Sequence, residues 1–269
     1  PADPGGMGSG GFLADRAAAS PPGQDTASCG RKGKNGGMSV FVVSEECIAL
    51  GLRARAIVFR GVRIAGSDPD LRADIAREVQ AVRSRTDSLA ALRAGAGMRM
   101  LYEAFHRVGA KPRRYPPSVE RLFRYALQRG DLPVINNLVD AYNLMSLRTA
   151  FSMGAHDVDR IALPVTLRLF HGRERFTPLG ATEAIGVAAG EFGYVDAEDR
   201  VLCRLDVLQA EFSKVTADTR DALLIVEGTA AHDTATFQKA VDETAALVRR
   251  CCGGEADVAL PCCPPRQAV

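Results

Sequence analysis

The sequence predicts a mixed α+β fold, and three observations carry that prediction. Apolar residues recur at helical spacing through the first half, as in Leu71, Ile75, Val79 and Val82. Short alternating or wholly apolar runs dominate the second half: Val165–Phe170, Phe192–Val195, Val201–Val207 and Ala222–Val226. Strands and helices do not alternate regularly, which argues against a doubly wound parallel sheet. The chain has 269 residues, 46% hydrophobic and 25% charged, enough for one large domain or two small ones.

Residues 1–37 hold ten glycines and four prolines without apolar periodicity and are expected to be a disordered tail. Met38 is the expected start of the compact chain, 38–250, and 251–269 the expected second disordered tail. Ser39–Val43 is strand-like. Ser44 followed by Glu45 and Glu46 is a capping serine with first-turn carboxylates, so a short helix is expected up to Gly51. Arg55–Ile64 is a second strand candidate. Ser67-Asp68-Pro69 opens a helix with proline in its first turn. Asp87–Gly109 is helical with a soft centre at Gly95 and Gly97, and His106 near its end is expected to be structural.

Residues 111–130 carry Lys111, Arg113, Arg114, Arg121, Arg124 and Arg129 against Glu120 alone. Val119, Leu122, Phe123, Ala126 and Leu127 form the apolar face of a helix, so the arginines gather on the outer side. That face is either a phosphate-contacting surface or an ordinary solvated one. Net charge is +2, so any nucleic-acid surface must be local.

The chain is organised around Leu132–Ile161, LPVINNLVDAYNLMSLRTAFSMGAHDVDRI. A helix is expected from Asn136 or Asn137, with Val134, Leu138, Ala141, Met145 and Leu147 on one side. Asn143 stands inside it. Asparagine is a poor helix-interior residue because its amide competes for backbone hydrogen bonds, so one kept there implies a partner to hold. A loop, AHDVD, is expected after Gly154. Beyond the later strands, Thr234–Arg250 is a closing helix ended by Gly253 and Gly254.

INNLVDAYNLMSLRTAFSMGAHDVDRI resembles the tRNA-editing domain of the beta subunit of bacterial phenylalanyl-tRNA synthetase, and more closely the free-standing proteins built on that domain. The order is shared: asparagines, Val-Asp, an asparagine-bearing helix, a loop ending in Asp-x-Asp, a basic residue and a strand. The likeness continues more loosely through GEFGYVDAEDRVLCRLD and KVTADTRDALLIVEG, covering about Tyr115 to Glu227. The resemblance implies a layered domain with a β-sandwich of short strands and flanking helices. It implies a free-standing deacylase that hydrolyses the ester of mischarged tRNA, without cofactor or metal. The alternatives are a catalytically silent tRNA- or amino-acid-binding relative, and an interaction module of a larger assembly.

Residue by residue, Asn143 falls on a family asparagine at the editing pocket. Tyr142 stands where the synthetase has a small hydroxyl residue. The family histidine falls on Gly154, and His156, two residues on, either substitutes for it or hydrogen-bonds Asp157 or Asp159. The family glutamate that recognises a tyrosine hydroxyl falls on Ile225, with Glu227 two residues on. Asn143 and His156 are thus the candidate catalytic pair, and Tyr142, Gly154, Ile225 and Glu227 the candidate substrate contacts; Asn143, His156 and Glu227 are expected to face a common cavity between the central helix and the strand Ala222–Val226. Arg113, Arg114, Arg121 and Arg124 are the candidate RNA contacts, with tRNA or aminoacyl-tRNA the expected partner.

No P-loop, nucleophile elbow, zinc-protease helix or dinucleotide fingerprint is present, so the sequence offers no support for a covalent mechanism. Adjacent Cys251–Cys252 and Cys262–Cys263 lack the spacing that suits a tetrahedral metal, and read as thiols of a loose tail; Cys47 and Cys203 read as small buried apolar residues. No apolar run approaches membrane-spanning length and no hydrophobic signal segment opens the chain, so a soluble cytoplasmic protein is expected.

Overall fold

The structure is a computed structural model that describes residues 39–85 and 87–259. The expected head, 1–37, and Cys262 and Cys263 lie outside the described residues.

The helices are α1 (Glu45–Ala49), α2 (Pro69–Arg83), α3 (Ser88–Ala94), α4 (Ala96–Arg107), α5 (Ser118–Arg129), α6 (Asn137–Thr149) and α7 (Thr234–Cys252). The strands are β1 (Phe41–Val43), β2 (Leu52–Arg60), β3 (Ser152–Asp157), β4 (Val165–Leu169), β5 (Arg175–Phe176), β6 (Ile185–Gly186), β7 (Phe192–Val195), β8 (Val201–Arg204), β9 (Leu208–Gln209), β10 (Ala222–Thr229) and β11 (Glu255–Ala259). Local signals set several boundaries. Ser44, Asp68, Asn136 and Asp233 each accept a backbone N–H at a helix start. Gly130 ends α5 in the left-handed conformation, φ 72°, that glycine adopts without strain.

Two large sheets, a two-stranded β5–β6 sheet and a helical layer make up the described unit. The four-stranded sheet runs β11-β2-β10-β3 with every neighbour antiparallel. The five-stranded sheet runs β1-β4-β7-β8-β9, with only the β1–β4 pair parallel. One core fills the space between the four-stranded sheet and the helices, from Ile57, Phe59, Leu224 and Val226 to Leu71, Leu144 and Val241. A second lies between the sheets, from Ala56, Val58, Leu223 and Ile225 to Leu167, Phe192 and Tyr194. The layered α+β architecture with a β-sandwich and flanking helices is therefore what the chain adopts.

Because the four-stranded sheet is covered on both faces, β10 is apolar in every position from Ala222 to Val226. The same covering corrects the sequence reading of β2. It begins at Leu52, and residues of both alternations are buried. The expected loop after Gly154 is strand β3, held to β10 along its length. Val134 does not join the face of α6; it precedes the helix and is exposed. The chain does not fall into a tail at Cys251. Helix α7 continues to Cys252, and β11 then pairs with β2, so Cys251 and Cys252 belong to the folded unit.

Candidate functional site

The register of β3 on β10 builds the site. Ser152 lies opposite Glu227, Gly154 opposite Ile225 and His156 opposite Leu223. Directly opposed residues share a face, so all six turn toward the space between the sheets. β3 is an edge strand, and at this edge the space opens into a cleft of about 350 Å³. Gly154 contributes no side chain to it, and a Cβ there would meet nothing within 4 Å. Helix α6 forms one wall with Val139, Tyr142 and Asn143; β7, β8 and the chain after β8 form another with Tyr194, Cys203, Asp206 and Val207. Tyr142, Asn143, Gly154, His156, Ile225 and Glu227 all line this one cleft.

The asparagines at the start of α6 divide the work. Asn136 caps the helix. Asn137 is buried and its amide donates to the carbonyls of Arg63 and Cys251, while its oxygen accepts from Ala65 N–H. These bonds tie the helix start to the chain after β2 and to the end of α7. Asp140 accepts from Ser67 Oγ at 2.6 Å and Ile135 N–H at 3.0 Å. Asn143 differs: among the described residues no group of the protein engages its amide, which opens on the cleft. The partner that the helix-interior amide implied is not supplied by the fold.

His156 is buried, and its Nδ1 lies 2.9 Å from Ser213 Oγ rather than bonding Asp157 or Asp159. Burial pulls its pKa down to about 4, so the ring is neutral at ordinary pH. Asp157 accepts from Thr219 Oγ1 at 2.6 Å and from Asp159 N–H at 3.0 Å. That is a turn-forming role.

Sequence reasoning missed the bottom of the cleft. Asp206 is buried and accepts from Ser152 Oγ at 2.5 Å and Ser118 Oγ at 2.9 Å. Burial raises its pKa to about 7, with the two serine hydroxyls pulling the other way. Glu227 lies within β10 rather than at its end. Burial, and then the neighbouring Asp206 charge, hold its carboxyl well above the usual carboxylate range. The Tyr194 hydroxyl is fully buried beside the Glu227 carboxyl, and no hydrogen bond of ordinary geometry closes between them. Leu205, just before Asp206, has φ 55°, a conformation that costs a leucine energy and turns the chain sharply after β8. The one legible signal was an Asp inside the strand-like run Val201–Val207.

The basic residues do not share one surface. Arg113 and Arg124 line a wide groove of about 640 Å³ with Arg93, His106 and Lys111. Arg121 stands at the cleft and donates to Val207 O at 3.2 Å. The Arg114 guanidinium lies over the Tyr115 ring at 5.3 Å. Glu120, the lone acid of the segment, is buried and gathers Arg93 at 2.6 Å, Arg124 and the Tyr102 hydroxyl. Arg124 is therefore partly engaged inside the protein.

Residues 101–253 match the family model of the B3/4 domain. The chain belongs to the B3/4 domain family. This is the family of the phenylalanyl-tRNA synthetase beta subunit, the relationship that the central stretch pointed to. The B3/4 match runs from α4 to the end of α7 and contains every residue of the cleft. Among solved structures, the chain is similar to an N-terminal fragment of the phenylalanyl-tRNA synthetase beta subunit from Pyrococcus horikoshii, at 14% identity and a TM-score of 0.43, over 81% of this chain. The chain spans 50% of that fragment. No curated protein matches it. Among the described residues of this B3/4 chain, no helix is long and apolar enough to cross a membrane, and no group of three or more His, Cys, Asp or Glu side chains is placed to hold a metal.

Proposed function

We propose that this B3/4 domain is an aminoacyl-tRNA deacylase, which hydrolyses the ester between a wrong amino acid and the terminal ribose of tRNA. The observation that carries the proposal is the unengaged amide of Asn143 and the neutral ring of His156 lining one cleft with room for an amino acid. An amide offers both a donor and an acceptor, so Asn143 orients the ester carbonyl or the attacking water. His156, a weak base at a pKa of about 4, holds water by accepting its hydrogen bond rather than by taking its proton. Water oxygen bonds to the carbonyl carbon, the bond to the ribose oxygen breaks, and the proton released by water ends on that ribose oxygen. Arg121 at the cleft, and Arg113 and Arg124 in the groove, carry charge suited to tRNA phosphates.

A second reading, a silent binder of tRNA or of an amino acid, is favoured by what the resemblance implies: the family histidine falls on Gly154 and the family glutamate on Ile225. Incubation of the protein with a panel of mischarged tRNAs separates the two. Ester loss faster than the spontaneous rate supports the deacylase; tRNA binding with no ester loss on any member supports the silent binder.

A further inference from the structure

We infer that Asp206, Glu227 and Tyr194 together form a subsite for a primary ammonium group at the bottom of the cleft. Most of the protein's other buried acids hold a cation, and the one that does not, Asp140, has no second acid beside it. Glu174 holds Arg168 at 2.6 Å, Glu191 holds Arg204 at 2.7 Å, and Asp196 holds Arg200 at 2.7 Å. Glu120 gathers two arginines, and Asp157 has Arg160 at 3.6 Å. Asp140 is held by a serine hydroxyl and a backbone N–H. Buried Asp206 and half-buried Glu227 lie together at the cleft, and among the described residues neither has a cationic partner. Buried carboxyls without a counter-charge are costly, more so when two are neighbours.

Tyr194, the third member, is 1% exposed and lines the cleft, and its hydroxyl faces the Glu227 carboxyl without closing a hydrogen bond of ordinary geometry. A buried hydroxyl left open costs free energy that a bound group recovers. An ammonium carries three N–H donors and one positive charge. Two carboxyls and a phenol oxygen offer acceptors for those donors, and the charge supplies what the acid pair lacks. A neutral hydroxyl satisfies one acceptor and leaves the charge problem in place. Above the cluster, Tyr142, Val207 and Ile225 provide apolar wall for the carbon chain of an amino acid.

The chemistry fits either the α-ammonium of an aminoacyl group or the terminal ammonium of a basic side chain. Assignment to aminoacyl-tRNA rests on the deacylase proposal; the subsite itself does not. The other titratable groups around the acid pair are Tyr142 and Arg121 from the helices, His156 from β3 and Cys203 from β8, with Arg53 and His232 across a small neighbouring cavity.

The test is calorimetry on the full chain at pH 7, in two buffers of different ionisation enthalpy, with three probes of equal chain length. L-norleucinamide carries only the α-ammonium, 6-aminohexanamide only a terminal one, and hexanamide none. At least one ammonium probe is expected to bind about tenfold or more tighter than hexanamide. Binding is expected to release protons, because a cation favours the ionised acids. Which ammonium probe wins assigns the source. The Asp206→Asn/Glu227→Gln double variant should lose the preference, and Asp206→Asn alone should weaken it if the double variant does not fold. Equal binding of all three probes, no binding, no proton release, or a preference that survives the substitutions overturns the inference. No ester is present, so this result stands apart from the mischarged-tRNA assay.

Discussion

The Ser152 hydroxyl lies 2.5 Å from Asp206 Oδ2, and Ser152 is the β3 residue directly opposite Glu227. One strand pairing therefore brings the hydroxyl that steadies the first acid to the side of the second. The arrangement joins β10 of one sheet to the chain after β8 of the other, and it closes the bottom of the cleft.

The acid pair should write itself into the pH dependence of stability. Asp206 has a folded pKa of about 7, above its unfolded value near 4, so the folded state binds the proton more tightly. Its contribution is complete below about pH 4 and is lost as pH rises through about 7. His156, lowered to about 4, works oppositely: its contribution is lost as pH falls from about 6.5 toward 4. The two slopes oppose each other, so the comparison must be with a variant. Asp206→Asn should gain on the parent as pH rises from 4 to 8, by about 1 kcal/mol or more, or about 2–4 °C in Tm at pH 8. Thermal melts of both proteins across that range check it; a constant difference would show an ordinary, unshifted carboxyl.

Asn143→Ala should lower deacylation of the best mischarged tRNA by about 100-fold, the scale expected on removing one positioned donor. Its Tm should stay within about 2 °C of the parent, because the amide makes no bond within the fold and alanine favours the helix. Single-turnover ester hydrolysis and a thermal melt decide together. Loss of both activity and stability would make Asn143 a structural residue.

Gly154→Val should fold normally and close the cleft. The position is extended, has open space where the Cβ goes, and lies in a strand, where valine is preferred to glycine. Stability should be unchanged or higher by up to about 1 kcal/mol, while amino-acid amides lose binding. Calorimetric titration and denaturant unfolding read the two effects. Unaltered binding would mean that ligands do not enter beside β3.

The basic groove and the cleft arginine give a salt-dependence test. Replacing Arg113, Arg114, Arg121 and Arg124 by glutamine should weaken tRNA binding and flatten its dependence on log salt by roughly 0.7–0.9 for each phosphate left without its arginine. Arg124 should contribute least, because buried Glu120 already holds it. Filter binding across a series of salt concentrations measures the slope, and a slope equal to the parent's would leave these arginines as solvated surface.

The sequence alone determined what depends on near neighbours. Helical spacing at Leu71, Ile75, Val79 and Val82 named a face that is buried at all four positions. Ser44 and Asp68 marked helix starts through bonds that span three residues. The order of residues 135–161 disclosed the family. Tertiary structure decided what depends on residues distant in the chain. A second covered face made β2 apolar on both sides from Ala56 to Phe59, so the alternation of its first half does not run through the strand. Pairing with β2 turned residues 255–259 from an apparent tail into a strand. Glu120 looked like a lone acid on a basic helix until Arg93, Tyr102 and Arg124 closed around it. Asp206 was one aspartate among many. Its proximity to Glu227 arises because sheet packing joins segments some twenty residues apart, and its desolvation arises only once both sheets exclude water. Periodicity and capping report on the local chain. A raised carboxyl pKa, a buried hydroxyl beside an acid and an open cleft are properties of three strands and a helix held together.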